Sequence, residues 1–122
     1  MKRLAKKITV PIYDAELWLV VSDRIDLERK RMEPVFGPAP EGGYSALCSY
    51  NGTGRFALFF KKSDVTLKTV SHEVFHLTHR ILDWVGSNFD SDHHEQGALL
   101  NSYLMDQVFH SISRGFKIPG FH

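Results

Sequence analysis

The segment from residue 65 to residue 85 carries apolar residues three or four positions apart. They are Val70, Val74, Leu77, Ile81 and Val85. This spacing places them on one face of an α-helix, so the segment predicts a helix with a buried face. Because Phe75, Leu82 and Trp84 add apolar surface on other sides, we expect the helix to run through the middle of the domain. Its start can be capped by Ser63, Asp64 or Thr66, and Gly86 suits the position just past its end.

A second helical pattern begins near Ser91. Its apolar stripe consists of Leu100, Tyr103, Leu104 and Val108. The connection of residues 86–90 is short, and short connections join helices that fold back against each other. We therefore expect the second helix to pack against the first.

The N-terminal half has the pattern of a β-sheet. Strands are predicted at Lys7–Tyr13, Glu16–Ser22, Tyr44–Tyr50 and Arg55–Lys61, a helix at Asp23–Glu33, and a loop at 37–43. Asn51-Gly52 predicts that the last two strands form a hairpin. The expected fold class is α+β, in one domain spanning residues 1–122. It has a small N-terminal sheet with a hairpin, then the buried helix and the C-terminal helix.

The first helix carries the motif His72-Glu73-Val74-Phe75-His76. Positions i and i+4 of a helix lie about 6 Å apart along the axis on the same face, so both imidazoles can bind one metal ion. Glu73 projects beside that ion and can accept a proton from a metal-bound water. The motif predicts a zinc site with His72 and His76 as ligands and Glu73 as the catalytic base.

A catalytic zinc ion usually has three protein ligands, so a third must come from elsewhere in the chain. Glu95, at the start of the second helix, is the best candidate. His93 or His94 could replace it and give a site of three histidines. We interpret His79 as a residue of the cleft, because it lies about 10.5 Å along the axis from His72.

The segment from about residue 63 to residue 110 resembles zincin metallopeptidases of the gluzincin type. In that family a His-Glu-x-x-His helix is followed by a helix with a glutamate ligand, which implies that Glu95 is the third zinc ligand. The chain is also similar to small zincin-like proteins encoded by bacteriophages and prophages. This resemblance implies a minimal zincin-like domain.

The implied function is a zinc-dependent peptidase, a hydrolase that acts on a peptide or protein substrate. The alternative is a non-catalytic zincin-like module for metal binding or protein interaction, such as a phage accessory protein. The resemblance also suggests that residues 55–60 form a substrate-binding strand edge, although an ordinary core strand would have the same pattern. The loop at 37–43 could cover the cleft as a lid.

Two groups of supporting residues are left open by the sequence. Asp83, Asp90 and Asp92 are candidates to orient a zinc-bound imidazole, since the residue four positions after Glu95 is Leu99. Candidates to stabilise an oxyanion are Tyr103, His79, His93 and Arg80.

Charge, apolar stretches and cysteine content indicate which classes of partner and which compartment to expect. The formal net charge of +1 does not predict nucleic-acid binding. No apolar stretch suggests a signal peptide or a membrane span. The single cysteine, Cys48, is expected to be a strand residue rather than a nucleophile, and it fits a reducing cytoplasm. The sequence leaves the oligomeric state open.

Overall fold

A computed structural model describes residues 3–87 and 94–116. This part of the chain has an α+β fold, as predicted. Its strands are β1 (Leu4–Val10), β2 (Ala15–Ser22), β3 (Ala46–Tyr50) and β4 (Arg55–Lys61). Its α-helices are α1 (Ile25–Arg31), α2 (Glu33–Phe36), α3 (Leu67–Trp84) and α4 (His94–Gly115), and a single 3-10 turn spans Lys62–Asp64.

The strand order in the sheet is β1-β2-β4-β3. β1 pairs with β2 and β3 pairs with β4, both antiparallel, which confirms the predicted hairpin. β2 and β4 are parallel neighbours, so β4 is an interior strand. Residues 56–60 of β4 are all buried, because helices cover both faces of the sheet at this strand.

The two faces of the sheet have separate apolar cores. On one face, α3 and α4 cover the larger core, which contains Leu19, Leu58 and Phe60. On the other face, α1 and α2 pack over a smaller core around Val20 and Phe59. Because successive side chains of a strand point to opposite faces, neighbouring residues of β2 and β4 pack against different helices.

Several element boundaries differ from the prediction, and two of the differences have a clear local cause. β1 ends at Val10, because residues 11–14 form the turn to β2, in which Ile12 and Asp14 have positive φ angles of 74° and 51°. The predicted helix at 23–33 is also followed by a second short helix that contains Pro34. Proline is tolerated there because the amides of a first helical turn have no intrahelical partner.

The ends of α3 follow their local signals. The Thr66 side chain accepts a hydrogen bond from the Thr69 amide at 3.1 Å and caps the N-terminus. At the other end, Gly86 has φ 79° and its amide donates to the Asp83 carbonyl, while the Ser87 amide donates to the Leu82 carbonyl. This pair of bonds is a Schellman motif, and glycine tolerates its left-handed backbone.

α4 folds back against α3, as predicted. The Thr78 hydroxyl lies 2.9 Å from the side-chain oxygen of Asn101, in the middle of the contact. Where α3 ends and α4 begins, the Ser87 hydroxyl donates to Gln96 Oε1, and Gln96 Nε2 donates to the Tyr13 hydroxyl. In the described ranges, neither long helix is apolar enough to cross a membrane.

Candidate metal centre

His72 and His76 lie together on α3. Their Nε2 atoms are 3.2 Å apart, and their rings meet edge to face with centroids 4.7 Å apart. Two imidazole nitrogens bound to one tetrahedral zinc at 2.0–2.1 Å are separated by about 3.3 Å. The separation of the two nitrogens therefore matches that of two ligands of one zinc ion, and without a metal it also allows a hydrogen bond between the rings.

The histidine pair faces away from the core. The buried side of α3 is formed by residues such as Val70, Val74 and Leu77. At 100° per residue, the midpoint between the two histidines lies roughly 180° around the axis from that side. The His72 side chain is accordingly 66% exposed. A metal ion on this pair would be accessible to a large substrate.

Glu73 lies beside the pair in a more sheltered position. Its side chain is 13% exposed, and Oε2 is 3.9 Å from His72 Nε2, too far for a direct hydrogen bond. The carboxylate is therefore adjacent to the histidine nitrogens without being tied to them. This arrangement suits a group that accepts a proton from a third species between them.

The position of Glu73 is also visible in the electrostatics of Cys48. The pKa of the Cys48 thiol is raised to about 12, mainly by burial and also by the negative charge of Glu73, while the positive charge of Arg80 acts in the opposite direction. Glu73 and Arg80 therefore both lie on the side of α3 that faces β3. The location of Cys48 in β3 agrees with the prediction, and its high pKa argues against a nucleophilic role.

The strand edge next to this site belongs to β3. Residues 55–60 form an ordinary core strand, which was one of the two interpretations of their pattern, and they do not form a substrate edge. β4 is paired on both sides, whereas β3 is paired only with β4 in the described part of the chain. Sequence patterns did not reveal this order because β4 is inserted between β2 and β3 by a parallel, long-range pairing.

The hydrogen-bond pattern shows which backbone groups of β3 point outward. The Ser45 carbonyl accepts from the Lys61 amide, and the Asn51 amide donates to the Arg55 carbonyl, so the odd-numbered residues of β3 bond to β4. In an antiparallel pair, inward and outward residues alternate. The outward backbone groups are therefore those of Ala46, Cys48 and Tyr50, whose side chains face α3.

Glu95, the predicted third ligand, lies in the exposed first turn of α4. α4 contacts α3 at Thr78, which is about 140° around the helix axis from the midpoint of the histidine pair. No three potential ligands come together within residues 3–87 and 94–116. Metal binding by Glu95 stays a prediction.

The alternative ligands occupy different places. His94 is exposed at the start of α4, and His93 lies outside the described residues. The His79 ring packs against Phe75, with centroids 4.7 Å apart. None of the described histidines joins the pair in a three-ligand cluster.

The residues proposed to orient a zinc-bound imidazole or to stabilise an oxyanion also lie at different distances from the histidine pair. Asp83 is exposed on α3, and Asp90 and Asp92 lie outside the described residues. Tyr103 lines a cavity of about 220 Å³ with residues of the β1–β2 turn, and that cavity does not include either histidine. Arg80 and His79 lie three to four residues after His76 on the same helix, so both are close to the site.

The loop at 37–43 does not cover the histidine pair. The buried Arg29 side chain donates to the carbonyls of Gly37, Phe36 and Pro38, and to the Ser49 hydroxyl. Phe36 and Tyr44, which flank this loop, pack in the smaller core on the face of the sheet opposite α3. The expectation of a lid was therefore wrong.

Comparisons of this chain with models of protein families, with curated proteins and with solved structures find no significant match.

Proposed function

We propose that this chain is a zinc-dependent peptidase in which His72 and His76 bind the metal and Glu73 is the general base. The observation that carries this proposal is the 3.2 Å separation of the two Nε2 atoms, which suits a tetrahedral zinc ion. The motif's resemblance to zincins supports the assignment of Glu73. A third ligand is needed, and Glu95 is our proposed residue for that position.

In the proposed hydrolysis, the metal would activate the substrate and the water, and Glu73 transfers the proton. A zinc ion bound here would polarise a substrate carbonyl and lower the pKa of a water molecule. Glu73 accepts the proton as the peptide bond is attacked and passes it to the leaving amine. The shelter of Glu73 against β3 limits the competition of bulk water for its carboxylate, while the exposed histidines leave room for the peptide.

The substrate in this proposal is a polypeptide in extended conformation. It adds to the open edge of β3 and bonds to the outward backbone groups of Ala46, Cys48 and Tyr50, a β-augmentation mode. Because the charge of Glu73 acts on the Cys48 thiol, a peptide paired at Cys48 brings a carbonyl near the base. The thiol of Cys48 is compatible with the cytoplasmic location that we propose.

One observation favours a second candidate function. The described residues supply two histidines on an open surface but no cluster of three ligands. This arrangement also suits a non-catalytic module, such as a phage accessory protein, in which the metal supports a protein interaction.

The first experiment measures zinc per chain after purification without chelator, in the parent, His76→Ala and His110→Ala. His110 is an exposed α4 histidine that contacts Asp106, so its variant controls for the loss of any histidine. We expect about one zinc per chain in the parent and the control, and little in His76→Ala. The same low content in all three proteins would refute the metal site.

The second experiment tests catalysis with a peptide library. Glu73→Gln should keep the zinc content of the parent and lose hydrolysis, because the amide cannot accept the proton. Zinc binding without cleavage by the parent would support the non-catalytic alternative. Equal cleavage by the parent and Glu73→Gln would refute the general-base role.

A further inference from the structure

Arg80 presents a positive charge at the end of the β3 edge. Its guanidinium carbon lies 4.5 Å from the centroid of the Tyr50 ring, a cation–π contact. Both side chains are exposed, and no carboxylate of the described residues forms an ion pair with Arg80. The guanidinium is thus held in place by an aromatic ring while its hydrogen-bond donors stay available.

The helix places Arg80 in line with the proposed active site. Arg80 follows His76 by one turn and Glu73 by two turns, so it lies within about 40° of both around the helix axis. The charges of Glu73 and Arg80 both act on the Cys48 thiol, so both side chains lie near β3. The base and the free cation therefore lie along one strand edge.

If a peptide pairs with β3 as an added strand, the spacing of its residues shows which of them lie near Glu73 and which near Arg80. Side chains two residues apart in a strand point to the same face. A peptide residue beside Cys48 is close to Glu73, whose charge acts on the Cys48 thiol. The residue two positions along lies beside Tyr50 and directs its side chain to the α3 face, where Arg80 is.

We propose that Arg80, held by Tyr50, is a subsite for a carboxylate on the substrate peptide, two residues from the position beside Glu73. The substrate class is therefore acidic peptides. This inference rests on the proposed peptidase function. A planar guanidinium binds a carboxylate with two parallel hydrogen bonds, and the ring contact reduces the side-chain entropy lost on binding.

The test compares pairs of decapeptides that differ only by Glu or Gln at one position within three residues of the cleaved bond. For the zinc-loaded parent we expect a kcat/KM about tenfold higher for the Glu peptide at one of these positions, or about 1.4 kcal/mol. In Arg80→Gln the Glu-to-Gln ratio should fall to about one. In Arg114→Gln, which removes an exposed arginine of α4, the ratio should stay at the parent value.

Binding of the same peptides, labelled with fluorescein, separates this inference from the proposed function. Anisotropy should show tighter binding of the Glu peptide to the parent and to Glu73→Gln, and the difference should disappear in Arg80→Gln. This result would support the subsite even if no peptide were cleaved. Equal affinity for both peptides, no binding of either, or a preference that survives in Arg80→Gln would overturn it.

Discussion

Gly54 lies directly against the indole of Trp84. A Cβ atom at position 54 would be 2.6 Å from Trp84 Cζ2 and 2.7 Å from Cη2. The same indole meets the Phe56 ring edge to face, with centroids 6.1 Å apart. The last turn of α3 is thus seated on the β3–β4 turn, and this contact helps to align the histidine-bearing helix with the edge of β3.

Gly54→Ala should therefore destabilise the fold. Gly54 has φ 83°, which is unfavourable for alanine, and the new methyl group would displace Trp84. We expect the free energy of unfolding to fall by about 1–3 kcal/mol, measured by urea denaturation. Gly52→Ala is the matched control, because nothing lies within 4 Å of its Cβ position and its φ is not positive. Equal effects of the two substitutions would contradict the close approach of Trp84.

Glu28 should make stability depend on acid pH. A hydrogen bond from Arg3 is the main cause that lowers the pKa of Glu28 below its usual value of 4.5, and the charges of Arg3 and Arg31 act in the same direction. Since the folded pKa lies below the unfolded one, this stabilisation is present above about pH 4.5 and is lost as the pH falls through the folded pKa.

We expect Glu28→Gln to lower the free energy of unfolding at pH 7 by about 1–3 kcal/mol. Its stability should also vary less between pH 5 and pH 2 than that of the parent. The exposed Glu41→Gln serves as the control in the same urea titrations. A parent-like acid profile in Glu28→Gln would show that another group governs the loss of stability.

Arg29→Lys should destabilise the loop after α2. Arg29 is only 4% exposed, and its guanidinium donates to Ser49 Oγ at 2.9 Å and to the Gly37 carbonyl at 3.0 Å. Lysine keeps the charge but cannot reach these acceptors with a planar fork, which should cost about 2–4 kcal/mol. Arg24→Lys, at an exposed ion pair with Asp26, should change the free energy of unfolding little. A small effect of Arg29→Lys would mean that water replaces the lost donors.

Cys48 should react slowly with alkylating reagents in the folded protein. With a pKa of about 12, only about one thiol in ten thousand is ionised at pH 8. Iodoacetamide should therefore modify the native protein at least about 100-fold more slowly than the protein in 8 M urea. Similar rates in the two conditions would contradict the burial of the thiol against α3.

Local signals predicted several elements well. The caps of α3 at Thr66 and Gly86 depend on side-chain and backbone conformations within a few residues. The β3–β4 hairpin depends on a short turn in which the Asn51 side chain accepts from the amides of Thr53 and Arg55, and its positive φ is at Gly54, not at Gly52. The boundary of β1 was predicted less well. Residues 11–13 have an apolar pattern that fits a strand, but Ile12 adopts a positive φ in the turn that brings β1 against β2.

In the candidate site, too, local features were predictable and features set by the packing of separate elements were not. The proximity of His72 and His76 follows from their i, i+4 spacing on one helix, which sequence alone reveals. The orientation of Glu95 depends on the rotation of α4 against α3, and a rotation of one residue changes direction by about 100°. The contact between Tyr50 and Arg80 could not be predicted for a similar reason, since the two residues meet only when β3 and α3 pack.

The sequence by itself determined the helix with its histidine pair and neighbouring glutamate, because helical periodicity and caps act between residues close along the chain. Only the tertiary structure decided that β4 is interior, that β3 offers the open edge, and that Arg80 lies at its end. These features depend on the parallel pairing of β2 with β4 and on the packing of α3 across the hairpin. Such contacts join residues far apart in the chain, and their geometry is set by the packing of whole elements.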